Sequence, residues 1–172
     1  MTALMMAANY EDYGNCEDYG DIIKYLHLAG ADLNIGDKNG DTAVMMAAER
    51  GHEDIVKYLH QAGADVNIRN NEGWTVLTKA SFEGHLDIVK YLHQAGADIN
   101  IMTQNGDTAL MLAAYCRGSF WPSKENEDII KYLHQAGADI NITNNDGNSA
   151  LMLADKKFQE DIVKYLQEAG AK

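Results

Sequence analysis

The chain has 172 residues, of which 46% are hydrophobic, so it is long and apolar enough for one domain with a buried core. Its 14 basic and 26 acidic residues give a net charge of −12, which argues against a nucleic-acid or anionic-membrane surface because both require a basic face. No apolar run is long enough to cross a bilayer and no signal-peptide pattern opens the chain, so the sequence predicts a cytoplasmic protein without membrane contact.

Pairs of short helical segments follow one another along the chain. The first member of each pair is an apolar stretch such as AVMMAA, and the Thr or Ser directly before it can accept a backbone N–H at the start of a helix. The second member changes little, and DIVKYLHQAGAD stands at 54–65 and again at 87–98. Ile55, Leu59 and Ala62, at i, i+4 and i+7, predict a helix with one buried face. The glycine that follows predicts a left-handed helix end.

These segments repeat with a period of 33 residues. The AGA triplets of the second helices are separated by 33, 33, 41 and 33 residues, and the larger step marks an insertion. A second insertion lies in the first unit, so 9–20 and 115–128 stand between the two helices of their units. Each second helix is expected to begin near its opening aspartate, as at Asp54. Because one helix pair cannot bury its own apolar face but stacked neighbours can, we predict a single domain of five units, at 1–36, 37–69, 70–102, 103–143 and 144–172.

The motifs T-A-[LV]-M, G-H-x-D-I-V and A-G-A-D-[VI]-N, in a unit of one turn and two helices, resemble the ankyrin repeat over the whole chain. The resemblance implies an all-α fold, an ankyrin-repeat solenoid of helix–turn–helix units joined by short hairpin-like turns. The Pro and His that usually follow the Thr in this family are replaced here by residues such as Ala43 and Met45. The hydrogen bonding between Thr and His is therefore expected to be absent, with apolar packing in its place.

Residues that recur at one position of the unit are interpreted as scaffold. His27, His60, His93 and His134 share a position on the second helix, and neighbouring units lie roughly 10 Å apart, as packed helices do. Zinc requires ligand nitrogens at about 2.0–2.1 Å, so such a ladder cannot share one ion, and neither a metal nor another cofactor is predicted. The aspartates also recur in phase, and no phosphate loop or nucleophile elbow is present, so no enzymatic activity is expected.

The candidates for a binding surface are aromatic residues that break the periodicity, together with the charged and polar residues that the resemblance places at variable positions of the ankyrin groove. In ankyrin proteins the turn tips and first helices line the concave groove that holds protein partners, which the resemblance implies for Trp74 at a tip and for Phe82 and Tyr115 on first helices. Exposed aromatics with acidic surroundings suit the anchoring of a partner. The alternative is that these rings fold back and cover apolar surface of the array. Phe120 and Trp121 of the second insertion are added as further aromatic candidates. The full set of candidate partner-binding residues is Asp41, Glu49, Arg50, Glu72, Trp74, Lys79, Phe82, Gln104, Asp107, Tyr115, Phe120, Trp121 and Asn148.

The sequence therefore predicts a non-enzymatic protein-binding module, and the acidic surface predicts a basic partner. Three alternatives remain open: an enzyme-masking inhibitor such as a bacterial toxin-immunity protein, a fragment of a larger ankyrin-containing effector, and an idealised binder built from consensus repeats. The near-identical copies favour the last of these, whereas the unequal insertions favour a natural chain.

The two ends of the array differ in character. In the fifth unit Asp155, Lys156, Lys157 and Gln159 stand at the positions that hold Ala, variable residues and the Gly-His pair in the inner units, as in a terminal cap. The first unit is as apolar as an inner one and lacks the preceding turn. We expect one of three solutions for its outer face: continuation into further repeats, closure by the Tyr-rich first insertion, or self-association.

Overall fold

The computed structural model describes residues 1–10, 16–115, 124–157 and 159–171, with the backbone alone for 16–18. This described part contains ten helices in five pairs and no strand, and none of its helices has the length and apolarity needed to cross a membrane. The predicted all-α fold is confirmed. The helices are α1 (Ala3–Ala8), α2 (Cys16–Leu28), α3 (Ala43–Arg50), α4 (Glu53–Gln61), α5 (Val76–Glu83), α6 (Leu86–Gln94), α7 (Ala109–Tyr115), α8 (Lys124–Gln135), α9 (Ala150–Lys156) and α10 (Glu160–Glu168).

The helices form two layers. The first helices α1, α3, α5, α7 and α9 pack against one another in order, and each also packs against the second helix of its own unit. The second helices α2, α4, α6, α8 and α10 follow in the same order. Side chains between the layers form one core, as at Leu77 and Leu110 on first helices and at Val56 and Val89 on second helices, all at most 1% exposed. Each unit thus buries its apolar face against its neighbours, as a solenoid requires.

The second helices end at the predicted glycine caps. Gly63 has a φ of 102°, and the N–H of Ala64 donates to the carbonyl of Leu59 at 2.9 Å. A residue with a side chain rarely adopts this left-handed φ, so glycine stops the helix here and turns the chain toward the next unit. The prediction of left-handed helix ends is confirmed.

Two second helices begin earlier than predicted. α2 begins at Cys16 and α8 at Lys124, about one turn before the expected aspartates, so part of each insertion is helical. In α8 the added turn carries Glu125 and Glu127, whose carboxylates lie at the positive end of the helix dipole. Glu127 also pairs with Lys131 one turn later, which supports the longer helix.

The positions that usually hold Thr and His in this family are filled in two ways. Met45 and Met111 are at most 1% exposed, so their side chains pack apolar atoms where the family carries histidine, as expected, although the N–H of Met111 still donates to Thr108 Oγ1 at 3.3 Å. For the third unit, the expected absence of hydrogen bonding between these two positions is wrong. The N–H of Thr75 donates to Thr78 Oγ1 at 2.8 Å, and the N–H of Thr78 donates to Thr75 Oγ1 at 3.3 Å. Because a threonine hydroxyl can both donate and accept, α5 keeps a reciprocal N-terminal cap.

Histidine and tyrosine side chains connect the second helices of neighbouring units. In each pair the histidine Nδ1 lies 2.8–2.9 Å from a tyrosine hydroxyl of the next unit, and the two rings meet edge to face at 74–79°. These four histidines therefore belong to the scaffold. The pairs are His27–Tyr58, His60–Tyr91, His93–Tyr132 and His134–Tyr165.

The outer face of the first unit is open in the described part of the chain. Met6 is 53% exposed, whereas Met46 at the same position of the second unit is 7% exposed. Ile22 is 44% exposed, whereas its equivalent Ile55 is 7% exposed. Side chains that an inner unit would bury against a preceding neighbour thus remain in contact with solvent.

The first insertion does not cover this open face with its described tyrosines, so that expectation is wrong for them. Tyr10 turns toward the second unit instead, and its ring stacks on His52 at 4.4 Å and on Tyr19 at 3.9 Å. Tyr10 is half-buried in this stack, and burial of an aromatic ring is a large favourable term. The remaining tyrosine of the insertion, Tyr13, lies outside the described residues.

Candidate functional site

A pocket of about 210 Å³ lies on the surface formed by the turn tips and the first helices, which we call the groove surface. It is built from the second and third units. Six of the thirteen candidate residues line it, and three residues that were not selected from the sequence complete it. The six are Asp41, Glu49, Glu72, Trp74, Lys79 and Phe82, and the three are Asn39, Asn70 and Glu83.

The aromatic wall of this groove pocket consists of Trp74 and Phe82. Their ring centroids lie 5.3 Å apart and their planes meet at 74°, which is the favourable edge-to-face arrangement. Trp74 stands where the neighbouring units carry Asp41 and Asp107. Both rings are half-buried, so they cover part of the array and also offer apolar area to a partner. The interpretation that these rings cover part of the array therefore holds in part, and the anchoring of a partner stays a prediction.

Lys79 brings a positive charge to a position that is apolar in other units, as at Met46 and Leu112. Its Nζ lies 3.2 Å from Asp41 Oδ1 and 2.7 Å from Glu49 Oε2. Burial alone would lower the pKa of Lys79, but the hydrogen bond with Glu49 and the charge of Asp41 outweigh it, so the pKa is raised above its ordinary 10.5. One ammonium is thus shared between two carboxylates of the preceding unit.

The pocket lining is acidic beyond this shared contact. The lining contains four carboxylates, those of Asp41, Glu49, Glu72 and Glu83, and one ammonium, that of Lys79. The side chain of Glu72 is exposed at a turn tip and makes no ion pair within the described part of the chain. Two aromatic rings beside an excess of carboxylates suit a cationic group carried on an apolar stem.

Asn70 is a pocket residue that the sequence analysis missed. It is 8% exposed, and its Nδ2 donates to Asp41 Oδ1 at 2.8 Å. Its own Oδ1 accepts the N–H of Trp74 at 2.8 Å. Asn70 therefore fixes both the turn that carries Trp74 and the carboxylate that contacts Lys79.

The sequence did contain a signal for this role. Asn144 makes the same contact with Asp107, at 2.7 Å, so the asparagine position looks like scaffold. In the fourth unit, however, Thr103 stands at the position of Asn70. The preceding third unit carries Trp74 at the position of Asp41. Asparagine thus stands at this position after a unit that carries aspartate, and is replaced by Thr103 after the unit that carries Trp74. This pairing indicates a contact between units.

Four other candidates lie outside the pocket. Each makes a side-chain hydrogen bond within the protein. Arg50 donates to Asn9, and Gln104 donates to the carbonyl of Asn71. Asp107 accepts from Asn144, and Asn148 accepts from Lys156. These side chains are therefore partly engaged in holding neighbouring turns and helices.

The remaining aromatic candidates are also separate from the pocket. Tyr115 is 45% exposed and does not line it, and the Nζ of Lys157 lies 4.2 Å from the centre of its ring. This contact is a cation–π interaction across the last two units. Phe120 and Trp121 of the second insertion lie outside the described residues.

No group of three or more His, Cys, Asp or Glu side chains is placed to hold a metal ion in residues 1–10, 16–115, 124–157 and 159–171. Stacked helix pairs, glycine caps and a surface of variable side chains on turns and first helices define a helical-repeat binding scaffold. A family model described as ankyrin repeats (three copies) matches residues 4–103 and 94–172. The chain belongs to the ankyrin repeat family, a class of non-enzymatic protein-interaction modules. The comparison with curated proteins found no match.

Proposed function

We propose that the protein binds a basic protein partner through its groove surface, with the groove pocket as the anchor point. The observation that carries the proposal is that six candidates lie around a single pocket, two of them aromatics that break the repeat pattern and four at variable groove positions implied by the ankyrin resemblance. Trp74 and Phe82 supply apolar area along one wall of this pocket, and the other lining residues include four carboxylates. Aromatic anchors in a partly desolvated pocket are the usual source of binding energy at protein interfaces.

The scaffold and the charge act at different stages of binding. Because the helices are ordered before the partner arrives, little conformational entropy is lost on association. The acidic surface attracts a basic partner over a distance and raises the association rate, an effect that salt screens. Binding is therefore expected to become slower as the ionic strength increases.

A capture experiment tests this proposal. The tagged protein and a Trp74→Asn/Phe82→Asn variant are used in parallel pull-downs with mass spectrometry. Both substitutions introduce residues that stand at the same positions elsewhere in the chain, Asn148 and Asn9, so the scaffold should tolerate them. We expect basic proteins that the wild type captures and the variant does not. Equal capture by both would contradict the assignment of the groove pocket.

An enzyme-masking role is one form of this function. If the captured partner is a basic enzyme, its activity is measured with and without the bound protein. Loss of activity that the Trp74→Asn/Phe82→Asn variant does not cause would assign the protein as an inhibitor, whereas unchanged activity would leave it a binding module.

We further propose that copies of the protein associate through the open face of the first unit. Besides Met6 and Ile22, this unit exposes Tyr25 at 73% and Leu28 at 83%. Leu28 stands where the next units carry Gln61 and its equivalents, so an apolar residue has replaced a polar one at this exposed position. Sedimentation velocity over a range of protein concentrations tests this proposal, and a single monomeric species throughout would refute it.

A further inference from the structure

A second and larger pocket lies away from the groove surface, between α2 and α4, where the first insertion meets the second unit. Its volume is about 670 Å³, which falls within the range of about 300–1,000 Å³ typical of ligand sites. We call it the insertion pocket. None of its lining residues lines the groove pocket, so a ligand could bind here whether or not the groove pocket has the function proposed for it.

Gly20 lines the insertion pocket and contributes no side chain to it. The same position carries Glu53 in the second unit and Leu86 in the third, and Leu86 packs against the core there. A Cβ placed on Gly20 would meet no other atom within 4 Å. The glycine therefore leaves open a space that a side chain occupies elsewhere in the array.

One wall of the insertion pocket is held in place by aromatic stacking. Tyr10 lies between the rings of Tyr19 and His52, with interplanar angles of 9° and 8°. The backbone carbonyl of Tyr10 also lies 3.0 Å from His52 Nε2. This wall is therefore formed before any ligand binds, which lowers the entropic cost of binding.

The base of the pocket is apolar and its rim is acidic. Ile23 and Ile55, at 1% and 7% exposure, lie at the base. Asp21, Glu53 and Asp54 supply carboxylates to the lining, against a single lysine, Lys24. An apolar base beneath negative charge is complementary to a methylene chain that ends in a cation.

The charges of this rim are only partly balanced within the protein. Asp21 pairs with Lys24 at 3.0 Å and Glu53 pairs with Lys57 at 2.6 Å, and both pairs are solvent-exposed, so they are weak and easily exchanged. Asp54 is exposed and forms no ion pair with the described residues. A cationic ligand could therefore engage the rim without displacing a buried salt bridge.

The start of α4 also faces this pocket, and a helix N-terminus by itself attracts anions. Glu53 and Asp54 stand in the first turn of α4, so its positive end already has two carboxylates of its own. The net charge at the rim stays negative, which excludes an anion as the favoured ligand.

We propose that the insertion pocket binds a lysine or arginine side chain of a protein partner. Its methylenes lie along the apolar part of the lining at Ile55 and Tyr58, and its charge lies between Asp21 and Asp54. The first insertion thus has a function: Tyr10 and Gly20, its first aromatic and its last residue, create the wall and the space.

The probes for this proposal are short peptides, acetyl-Gly-Lys-Gly-amide and acetyl-Gly-Arg-Gly-amide. Each is titrated into the ¹⁵N-labelled full chain at low salt, and the amide shifts of Gly20, Gly51 and Asp54 are followed by NMR. A norleucine peptide, which keeps the methylenes but lacks the charge, is the first control. Butylammonium is the second control and represents a free amine as the source of the cation.

The chain contains its own matched control for the carboxylate. Residues 54–65 and 87–98 are identical, yet only the first copy lines the insertion pocket. Asp54→Asn should weaken peptide binding about tenfold or more, because a hydrogen bond to a charged group is lost. Asp87→Asn should leave it unchanged.

Filling the pocket provides a second, independent variant. Gly20→Leu introduces the residue of the third unit at the same position and should abolish the shifts, with the rest of the spectrum unchanged because leucine favours a helix more than glycine does. The proposal is overturned if Gly20→Leu binds like the wild type, if both aspartate variants weaken binding equally, or if norleucine or butylammonium binds as tightly as the lysine peptide. If Gly20→Leu unfolds the protein, the pair of aspartate variants still decides.

Discussion

The ammonium of Lys79 lies 3.2 Å from the carboxylate of Asp41 in the preceding unit. Both side chains are largely buried, at 14% and 13% exposure, and Glu49 completes the contact from α3. The groove pocket is thus assembled from charges on two different repeats, and its shape depends on how those repeats are stacked.

Replacing Lys79 with methionine, the residue of Met46, should destabilise the protein by about 1–3 kcal/mol. The substitution leaves Asp41 and Glu49 without their cation, and breaking a fully buried pair costs about 3–5 kcal/mol, of which partial solvation here removes some. Urea unfolding measures the change. Adding Asp41→Asn to Lys79→Met should restore part of the lost stability, and a further loss would contradict the pairing.

The stabilisation from Lys79 should disappear at alkaline pH. Its pKa is raised in the folded protein, because the hydrogen bond with Glu49 and the charge of Asp41 outweigh burial, so the folded state holds this proton more tightly than the unfolded state. The contribution is complete below the ordinary pKa of 10.5 and is lost as the pH rises through the raised value. The difference in unfolding free energy between the wild type and Lys79→Met should therefore shrink above this pH. A difference that grows there would contradict the shift.

The tyrosine hydroxyls of the second helices should contribute to stability only where a histidine of the preceding unit contacts them. Tyr91→Phe removes the hydroxyl that lies 2.8 Å from His60 Nδ1 and should cost about 0.5–1.5 kcal/mol. Tyr25 stands at the same position of the first unit, is 73% exposed, and has no such partner among the described residues. Tyr25→Phe should therefore be nearly neutral. Equal losses in urea unfolding for the two variants would show that the contact between units is not the cause.

Self-association through the first unit should depend on its exposed apolar side chains. A Met6→Ser/Ile22→Asn variant should stay monomeric at concentrations where the wild type forms larger species, with little change in unfolding free energy because both residues are already exposed. Salt should strengthen this association, because it screens the repulsion between acidic first units while the apolar contact remains. Met152→Ser, at a residue 45% exposed at the other end of the array, is the matched control. Dispersal by that control would place the contact elsewhere.

The repetition in the sequence was sufficient to predict the helix pairs and their glycine caps, because each unit repeats the same local pattern. It did not predict the early start of α8, since Glu125 and Glu127 occur only in the insertion and no second copy shows how they behave. It also could not predict that Tyr10 stacks on His52. That contact joins residues distant in the chain, and no local preference encodes it.

The candidate site was predicted to a similar extent. Positions that vary between units indicated Trp74 and Phe82, but the ion pairs of Lys79 depend on the distance between two turns, which the repeat pattern does not contain. Asn70 was not selected, because its role depends on a contact with Asp41 of the preceding unit and not on the pattern within its own unit.

The residues that differ between units, and not the shared scaffold, are the ones proposed to bind the partner. The most direct test is the affinity of a captured partner for the wild type and for Trp74→Asn, measured by calorimetry together with the unfolding free energy of each. We predict binding about tenfold or more weaker, as for an interface anchor, with stability nearly unchanged. An affinity within about twofold of the wild type would contradict this assignment.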